Sequence, residues 1–367
     1  MGHLPDYLSW RGDLPFSLSP RCDIDLLVFA VAVYLDLPKE GILRACAEKA
    51  DRGKNTDHFH DECCLLMAQL GQSERFGDLM VRDAVSVLND EVQFAAMTID
   101  LPDGSHVVAF RGTDGSETGW REDFAMSFES PVPAQAAAQA YLTCHLQEDT
   151  GDFLVTGHSK GGNLAVYAAA HTPAVLQPRL KRIVSFDGPG VDDDTAASAG
   201  YEAVTKRIIA YVPQFAVVGL LLAAHPVHRV VQSSNFGIMQ HDPFSWEMLG
   251  RDFCYAEGLD KRSMLVNQTV HQWLAQCSKE QRRQFVDGIF TLLSTTKRVS
   301  LKDVIKDIPG SLTAVYQADK ESAKMVAVLL GKLAAIGAEN TLDMIRQNHL
   351  PSQEAGQNKQ EGAIQHE

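Results

Sequence analysis

The sequence predicts an α/β fold in which helices flank a mostly parallel central sheet, with a helical extension at the C-terminus. Apolar segments with the length and residue types of strands recur along the chain, at 93–100, 106–110, 152–156, 182–186, 207–212 and 228–231. Helix-forming segments separate several of them, and strands joined in this way usually pair in parallel through crossover connections. From about residue 261 onward the pattern is helical, which adds the extension.

The composition is that of a globular protein with a substantial core. The chain has 367 residues, of which 45% are hydrophobic and 22% charged, so neither a disordered chain nor a disulfide scaffold is expected. The 47 Asp and Glu exceed the 33 Lys and Arg, which gives a net charge of −14. Because non-specific nucleic-acid binding depends on clustered basic residues, this balance argues against a nucleic-acid partner.

The cysteines and the apolar stretches predict a cytoplasmic protein without a transmembrane segment. The seven cysteines are an odd number and include no Cys-x-x-Cys pair, as expected for reduced thiols in a reducing compartment. The N-terminus lacks the basic and apolar regions of a signal peptide. No apolar stretch reaches the ~20 residues that a membrane-spanning helix needs.

The pattern along the chain predicts four parts. Residues 1–90 are expected to form an N-terminal helical segment packed on the core domain, because amphipathic helical spacing dominates there. Residues 91–260 carry the strands and form the core domain. Residues 261–350 form a C-terminal helical region, and the polar residues 351–367 form a disordered tail.

A Gly-x-Ser-x-Gly motif provides the first candidate for catalysis. Residues 157–161 read Gly-His-Ser-Lys-Gly, directly after the strand at 152–156 and directly before an Ala-rich helical segment. In this strand–turn–helix context a serine hydroxyl is exposed as a nucleophile at the carboxyl end of a sheet. We therefore expect Ser159 to be a nucleophile, with a purely structural glycine turn as the alternative.

An acyl-transfer serine also needs two hydrogen-bond donors that form an oxyanion hole for the tetrahedral intermediate. The amide of Lys160, directly after the nucleophile, is the first candidate, and we expect the Lys160 side chain to be solvated. Arg111, Gly112 and Thr113 follow the strand at 106–110, and the amide of Thr113 is the second candidate. An ordinary β-turn is the alternative for this loop.

The general base should be a histidine after the serine, in the chain order Ser, acid, His. His241 is preferred because it lies in a loop after the last candidate strand, where a solvated loop histidine is the alternative. The other histidines considered lie at the end of the helix after the serine, beside the last strand or in the C-terminal helical region: His171, His225, His228 and His271.

The acid that would orient His241 is less clearly defined by the sequence than the nucleophile and the base are. Asp187 is preferred because it ends the strand after the nucleophile helix and precedes a tight Gly-Pro-Gly turn. Three further carboxylates on the same loop stay open as alternatives: Asp192, Asp193 and Asp194. The acid would hold the tautomer of the imidazole and stabilise the imidazolium.

Two further patterns favour ordinary structural roles. Residues 58–64 read His-Phe-His-Asp-Glu-Cys-Cys, which includes zinc ligands, but no second ligand pair stands at a suitable spacing. Neither a metal nor another cofactor is therefore predicted. Arg111 could bind an anionic substrate, but we expect it to pair with a local carboxylate such as Glu122 or Asp123.

Taken together, the motifs resemble those of known lipases. Residues 107–113 (Val-Val-Ala-Phe-Arg-Gly-Thr), Trp120, Asp123 and the Gly-His-Ser motif resemble the class 3 (fungal-type) lipases, although Lys160 stands where those lipases usually have Leu. More closely, roughly residues 4–260 resemble a bacterial lipase-related α/β-hydrolase family of unknown function. The segments that carry this resemblance are 6–13, 157–165, 185–190 and 240–246.

The resemblance implies an α/β-hydrolase fold with Ser159 as nucleophile and His241 as base. The chain departs from the class 3 lipases at residues 211–219, where those lipases carry the acid and this sequence has no carboxylate. Either Asp187 replaces that acid, or a Ser–His dyad operates, or the hydrolase is degraded.

We therefore expect a serine hydrolase that acts on carboxylic esters, with a small-molecule or lipid-like ester as its substrate. A catalytically degraded hydrolase-fold protein that binds a partner or acts as a scaffold is the alternative. Thioesterase or amidase chemistry by the same residues is also compatible with the sequence. The acyl-chain length and the oligomeric state do not follow from the sequence.

Overall fold

The computed structural model describes residues 1–51, 57–114, 116–222, 228–296 and four short pieces between 327 and 340. These residues include one large sheet and helices that pack on its two faces. The predicted tail at 351–367 lies outside the described residues, as does most of the stretch from 297 to 350.

Eight strands form the central sheet and follow one another across it in chain order. They are β1 (Gly41–Ile42), β2 (Met80–Leu88), β3 (Gln93–Asp100), β4 (His106–Phe110), β5 (Phe153–His158), β6 (Leu180–Phe186), β7 (Ile208–Pro213) and β8 (His228–Val231). Strands β1 to β4 pair antiparallel, whereas β4 to β8 pair in parallel. A separate hairpin consists of β9 (Met248–Leu249) and β10 (Asp252–Phe253).

The described residues include eleven helices, and some of them cover the two faces of this sheet. They are α1 (Leu4–Arg11), α2 (Asp23–Ala32), α3 (Leu43–Ala47), α4 (His58–Gln72), α5 (Glu117–Ala125), α6 (Pro133–Glu148), α7 (Lys160–Ala170), α8 (Asp193–Ala196), α9 (Ala199–Val204), α10 (Lys261–Gln276) and α11 (Lys279–Thr296). The predicted α/β-hydrolase fold, with a mostly parallel sheet flanked by helices, is confirmed.

The sheet separates two apolar cores, and the alternation of side chains along β4 shows how. Val107 and Ala109 belong to the core that contains α2 and α4. Val108 and Phe110 belong to the core that contains α6 and α7. Successive residues of a strand point to opposite faces, so a strand buried on both sides is apolar throughout. The cores on both faces hold the parallel strands in place.

The parallel strands place four loops at one edge of the sheet. Because β4 to β8 run in the same direction, their carboxyl ends lie together. The residues that follow β4, β5, β6 and β8 there include Thr113, Ser159, Asp187 and His241.

The first 90 residues are not entirely helical, contrary to the prediction. β1 and β2 lie within them, and β2 occupies a stretch for which a helix was expected. The pairing of β2 with β3 shifts register between Arg82 and Val85, and Asp83 has a left-handed backbone with φ 49°. This irregularity breaks the alternation of the strand, so its polar residues imitate the spacing of an amphipathic helix.

The C-terminal part is helical where the structure describes it, in α10 and α11. The division of the chain at residues 90, 260 and 350 stays a prediction. Among the described residues, no helix combines the length and hydropathy that a membrane span requires.

Candidate active site

Ser159 stands in a tight turn between β5 and α7. Its backbone has φ 56° and ψ −130°, a conformation that non-glycine residues rarely adopt outside strained functional turns. The flanking glycines are required by space. A Cβ at Gly157 would lie 2.2 Å from the backbone of Gly161, and a Cβ at Gly161 would lie 2.1 Å from the carbonyl oxygen of Phe110. The motif therefore forms the strand–turn–helix that the sequence predicted.

The ring of His241, in the loop after β8, lies between Ser159 and Asp187. Its Nε2 is 3.0 Å from Ser159 Oγ, and its Nδ1 is 2.6 Å from Asp187 Oδ2. A carboxylate only accepts hydrogen bonds, so Nδ1 carries the proton and the Ser159 hydroxyl donates to Nε2. The three side chains thus have the connectivity of a Ser–His–Asp triad.

Asp187 reaches His241 from the turn that follows β6. It is 1% exposed and has a left-handed backbone with φ 46°. Its second oxygen, Oδ1, accepts a hydrogen bond of 3.0 Å from the amide of Gly219, in the segment after β7. The region at 211–219 lacks a carboxylate, but it contributes this main-chain donor to the carboxylate of Asp187.

The other three carboxylates on this loop have different surroundings. Asp192 caps α8 by accepting from the amide of Thr195, and it also accepts from the hydroxyl of Ser130. Asp193 and Asp194 are the first two residues of α8. Among these four carboxylates, all of them within the described residues, only Asp187 hydrogen-bonds to His241.

The other candidate histidines lie in other elements of the chain, and two of them contact other residues. His171 follows α7 and stacks on Tyr167, with 4.0 Å between ring centroids. His228 begins β8, and His271 in α10 lies 2.8 Å from the main-chain oxygen of Leu220 through its Nε2. His225 lies outside the described residues.

The loop after β4 packs closely against the serine turn. A Cβ at Gly112 would lie 2.6 Å from the carbonyl oxygen of His158, so the approach requires glycine. The hydroxyl of the next residue, Thr113, donates to the carboxylate of Asp123. Lys160 is the first residue of α7, where main-chain amides have no partner within the helix. The two predicted oxyanion donors therefore belong to segments that meet at the turn.

Asp123 is a second buried carboxylate near His241. Burial, the largest influence, raises its pKa to about 6. The positive charge of Lys160 and the Thr113 hydroxyl lower the pKa of Asp123, whereas the charge of Glu122 raises it. Its Oδ1 is buried and has no hydrogen-bond partner among the described residues.

The Lys160 side chain is buried, which corrects the expectation that it would be solvated. The residue is 1% exposed. Its ammonium donates to Glu122 Oε2 at 2.9 Å and to the main-chain oxygen of Gln93 at 2.8 Å. Lysine is seldom buried without a partner, because removing its charge from water is costly. The partner could not be predicted from the sequence, because Glu122 lies on a different helix, α5.

His158 connects the serine turn to the loop of His241 and to the residues after α2. Its Nε2 lies 2.9 Å from the main-chain oxygen of His241, and its Nδ1 lies 2.9 Å from the hydroxyl of Tyr34. Since a carbonyl oxygen only accepts, Nε2 carries the proton and Tyr34 donates to Nδ1. Burial, together with the neighbouring His241, holds the pKa of His158 well below 6.5. The imidazole is therefore neutral. His158 could not be predicted as a site residue from the sequence, because it occupies a variable position of the motif.

Arg111 has partners other than the two carboxylates expected for it. Its guanidinium donates to Asp36 Oδ1 and to Ser86 Oγ, both at 3.0 Å. The prediction of a structural ion pair is right, but Glu122 and Asp123 serve Lys160 and Thr113 instead.

The segment at 58–64 forms part of α4. His60 there pairs through Nδ1 with Asp57, at 2.9 Å. Within the parts of the chain that the structure describes, no group of three or more His, Cys, Asp or Glu side chains is arranged to hold a metal ion.

The chain is similar to one known family and, more distantly, to solved lipase structures. A family model described as Mbeg1-like matches residues 70–291, more than half of the chain. No curated protein matches this chain. The structure is similar to that of M37 lipase, with 15% sequence identity and a TM-score of 0.34, over 53% of this chain and 67% of that one. It is also similar to a mutant form of MDLA from Penicillium cyclopium, with 14% identity and a TM-score of 0.38, over 57% of this chain and 79% of that one.

Proposed function

The chain belongs to the Mbeg1-like family, and from the geometry of its site we propose that it is a serine hydrolase of carboxylic esters. The family match agrees with the lipase-related family that the motifs indicated. The observation that carries the proposal is the series of contacts from Asp187 through His241 to Ser159, at 2.6 and 3.0 Å. These distances lie within the hydrogen-bonding range that proton transfer requires.

In the proposed reaction Ser159 Oγ attacks the carbonyl carbon of the ester while His241 Nε2 takes the hydroxyl proton. Asp187 stabilises the imidazolium that forms. The tetrahedral intermediate then expels the alcohol, which receives the proton from His241, and leaves an acyl-serine. A water molecule, deprotonated by His241, attacks this acyl-serine and forms a second tetrahedral intermediate. Its bond to Ser159 Oγ then breaks, Oγ takes the proton back from His241, and the carboxylic acid is released.

The amides of Lys160 and Thr113 are proposed to hold the oxyanion of the tetrahedral intermediate. The amide of Lys160 lies at the N-terminus of α7, where the helix dipole also favours negative charge. The hydroxyl of Thr113 is bound to Asp123, so its amide rather than its hydroxyl is the proposed donor.

Exposed apolar side chains beside His241 support a lipid-like ester as the substrate. Phe236, Ile238 and Met239 precede His241 and are 83, 60 and 50% exposed. Three exposed apolar side chains within four residues of one loop are more than the scattered single ones that protein surfaces normally carry, and they favour a site that binds an apolar group. We also propose a reducing, cytoplasmic location, because none of the seven cysteines, all of them within the described residues, forms a disulfide.

The contact between Asp187 and His241 supports an enzyme over a degraded hydrolase fold that serves as a scaffold. The scaffold alternative depends on the lack of a carboxylate at residues 211–219. Asp187 supplies a carboxylate to the imidazole from the neighbouring strand instead.

Labelling with a fluorophosphonate probe tests the proposal directly. We expect the wild-type protein to be labelled, Ser159→Ala not to be labelled, and His241→Ala to be labelled much more slowly. Ser198→Ala removes only the cap of α9 and is the matched control, which should be labelled like the wild type. Hydrolysis of p-nitrophenyl acetate, octanoate and laurate then tests the preference for apolar acyl groups. An unlabelled wild-type protein, or equal labelling of Ser159→Ala, would overturn the proposal.

A further inference from the structure

We infer that the Lys160 side chain is a positioning residue, which through Glu122 and Gln93 ties the serine turn to the loop that carries the second oxyanion donor. The inference rests on the proposed function and deepens it. It concerns the Lys160 ammonium, whereas the proposed oxyanion donor is the Lys160 main-chain amide.

The contacts of the Lys160 ammonium are the first part of the argument. The side chain is fully buried, and its Nζ donates to Glu122 Oε2 and to the main-chain oxygen of Gln93, at 2.9 and 2.8 Å. Replacing a buried ion pair by apolar side chains of similar volume is often neutral for stability. Stability alone therefore does not account for a charged pair placed directly behind the nucleophile.

Glu122 joins three elements around this ammonium. Its Oε2 also accepts from the amide of Gln93 at 3.1 Å, at the start of β3. Its Oε1 accepts from the amide of Ala134 at 2.9 Å, in the first turn of α6. Because a charged acceptor forms stronger hydrogen bonds than a neutral one, the carboxylate fixes Lys160, β3 and α6 relative to one another.

Gln93 carries the connection to the oxyanion loop. Its side-chain amide donates to the main-chain oxygen of Gly112 at 3.2 Å. Gly112 precedes Thr113 and packs against the main chain of the serine turn. One residue of β3 thus binds the Lys160 side chain through its own main chain and the Thr113 loop through its side chain.

The helix α5 adds a second connection, because Glu122 and Asp123 are consecutive. Glu122 binds Lys160, and Asp123 accepts the hydroxyl of Thr113. The positive charge of Lys160 lowers the pKa of Asp123, and the negative charge of Glu122 raises it. The ion pair therefore influences how far the carboxylate that holds Thr113 is ionised. The titratable and polar groups that interact with Asp123 are Lys160, Glu122, His241, Tyr34 and Thr113.

The test compares Lys160→Met and Glu122→Gln with the wild type in steady-state ester hydrolysis and in hydrogen exchange. For Lys160→Met we expect kcat to fall about 10- to 100-fold with little change in KM, because a displaced donor weakens binding of the transition state more than of the substrate. Amide exchange in residues 111–114 should become faster in both variants. Because two variants are made, the inference is tested even if one of them does not fold.

The pH profile separates positioning from a merely structural role. The acidic limb of kcat/KM should move to higher pH in Lys160→Met, because losing a positive charge favours the protonated forms of the titratable groups near it, Asp123 among them. In Glu122→Gln it should move to lower pH, because the repelling negative charge is lost. A general loss of packing does not produce shifts of opposite sign.

Arg75→Met is the matched control, since Arg75 and Asp25 form another fully buried ion pair, at 2.6 Å, that contacts neither Ser159 nor His241. We expect this variant to be less stable but to keep wild-type exchange in residues 111–114 and a wild-type pH profile. Wild-type kcat and exchange in Lys160→Met would overturn the inference, as would equal effects in Arg75→Met. If the wild-type protein is neither labelled nor active, the proposed function fails, and the exchange measurement still decides whether Lys160 positions the loop.

Discussion

The imidazole of His158 donates a hydrogen bond of 2.9 Å to the main-chain oxygen of His241, so the residue before the proposed nucleophile fixes the loop of the proposed base. The two rings also lie against each other, with 4.7 Å between their centroids. Tyr34, just after α2, holds the other nitrogen of His158. The position of His241 thus depends on the residues after α2 as well as on the turn that carries Ser159.

Replacement of His158 by Leu should lower kcat by about 10- to 100-fold, because His241 loses the contact that positions its ring against Ser159. Tyr34→Phe should have a smaller effect in the same direction, since His158 keeps its bond to His241. Steady-state hydrolysis of a p-nitrophenyl ester measures both variants. His171→Leu, at the far end of α7, is the control and should keep wild-type kcat. An unchanged kcat in His158→Leu would show that His241 is positioned without it.

The neutral state of His158 predicts a loss of stability at low pH. Its folded-state pKa lies well below 6.5, so below about pH 6.5 the unfolded chain binds a proton that the folded protein excludes. The stability that this residue contributes is therefore present above pH 6.5 and is lost as the pH falls. Urea unfolding between pH 5 and 7.5 should show a shallower decline for His158→Leu than for the wild type. Parallel declines would contradict the assignment.

Asp187→Asn should lower kcat by about 10³- to 10⁴-fold, because an amide cannot hold the required tautomer or stabilise the imidazolium. The control is Asp192→Asn, which alters a cap of α8 and should leave kcat unchanged. Single-turnover labelling by the fluorophosphonate probe gives the same comparison without a substrate. A large loss of kcat in Asp192→Asn, with wild-type kcat in Asp187→Asn, would show that Asp192 rather than Asp187 is the acid.

Gly219→Ala should lower kcat by about 100-fold by displacing Asp187. A Cβ at Gly219 would lie 2.3 Å from Asp187 Oδ1, far inside contact distance. At Gly258 a Cβ meets nothing within 4 Å, so Gly258→Ala is the control and should have wild-type kcat. A Gly219→Ala variant that folds and retains full activity would mean that a side chain at position 219 does not displace Asp187 from His241.

Asp123 predicts a pH dependence of the opposite sign to that of His158. Its pKa is raised from 3.8 to about 6, so between these values the folded protein holds a proton that the unfolded chain has released. Its contribution to stability is complete below pH 3.8 and is lost as the pH rises through 6, by up to about 3 kcal/mol. Asp123→Asn cannot ionise, so its free energy of unfolding should fall less between pH 4 and 7. Identical pH dependence in urea unfolding would contradict this.

The sequence predicted those features of the site that depend on local order. Ser159 follows from a motif whose glycines are needed for the close approach of two main-chain segments. His241 follows from its place after the last parallel strand, because the carboxyl ends of such strands meet at one edge. Asp187 could only be named among four neighbours, since local sequence does not show which carboxylate reaches an imidazole 54 residues later.

The features that the sequence did not predict depend on contacts between distant segments. The burial of Lys160 requires Glu122, 38 residues earlier and on another element. The role of His158 depends on Tyr34, which is 124 residues away. In β2 the register shift near Asp83 removed the alternation by which strands are recognised. Only the assembled fold brings these partners together.

The acid of the proposed triad and the main-chain amide that supports it belong to different segments, which makes the two segments separately variable. Because β6 carries Asp187, the segment after β7 needs only the main-chain amide of Gly219 to support it. That segment lies against the loop of His241, where the amide of Phe215 donates to Gln240 Oε1. Side chains at residues 214–218 can therefore be exchanged without removing any of the three side chains of the proposed proton relay, and directed evolution of this chain would begin there.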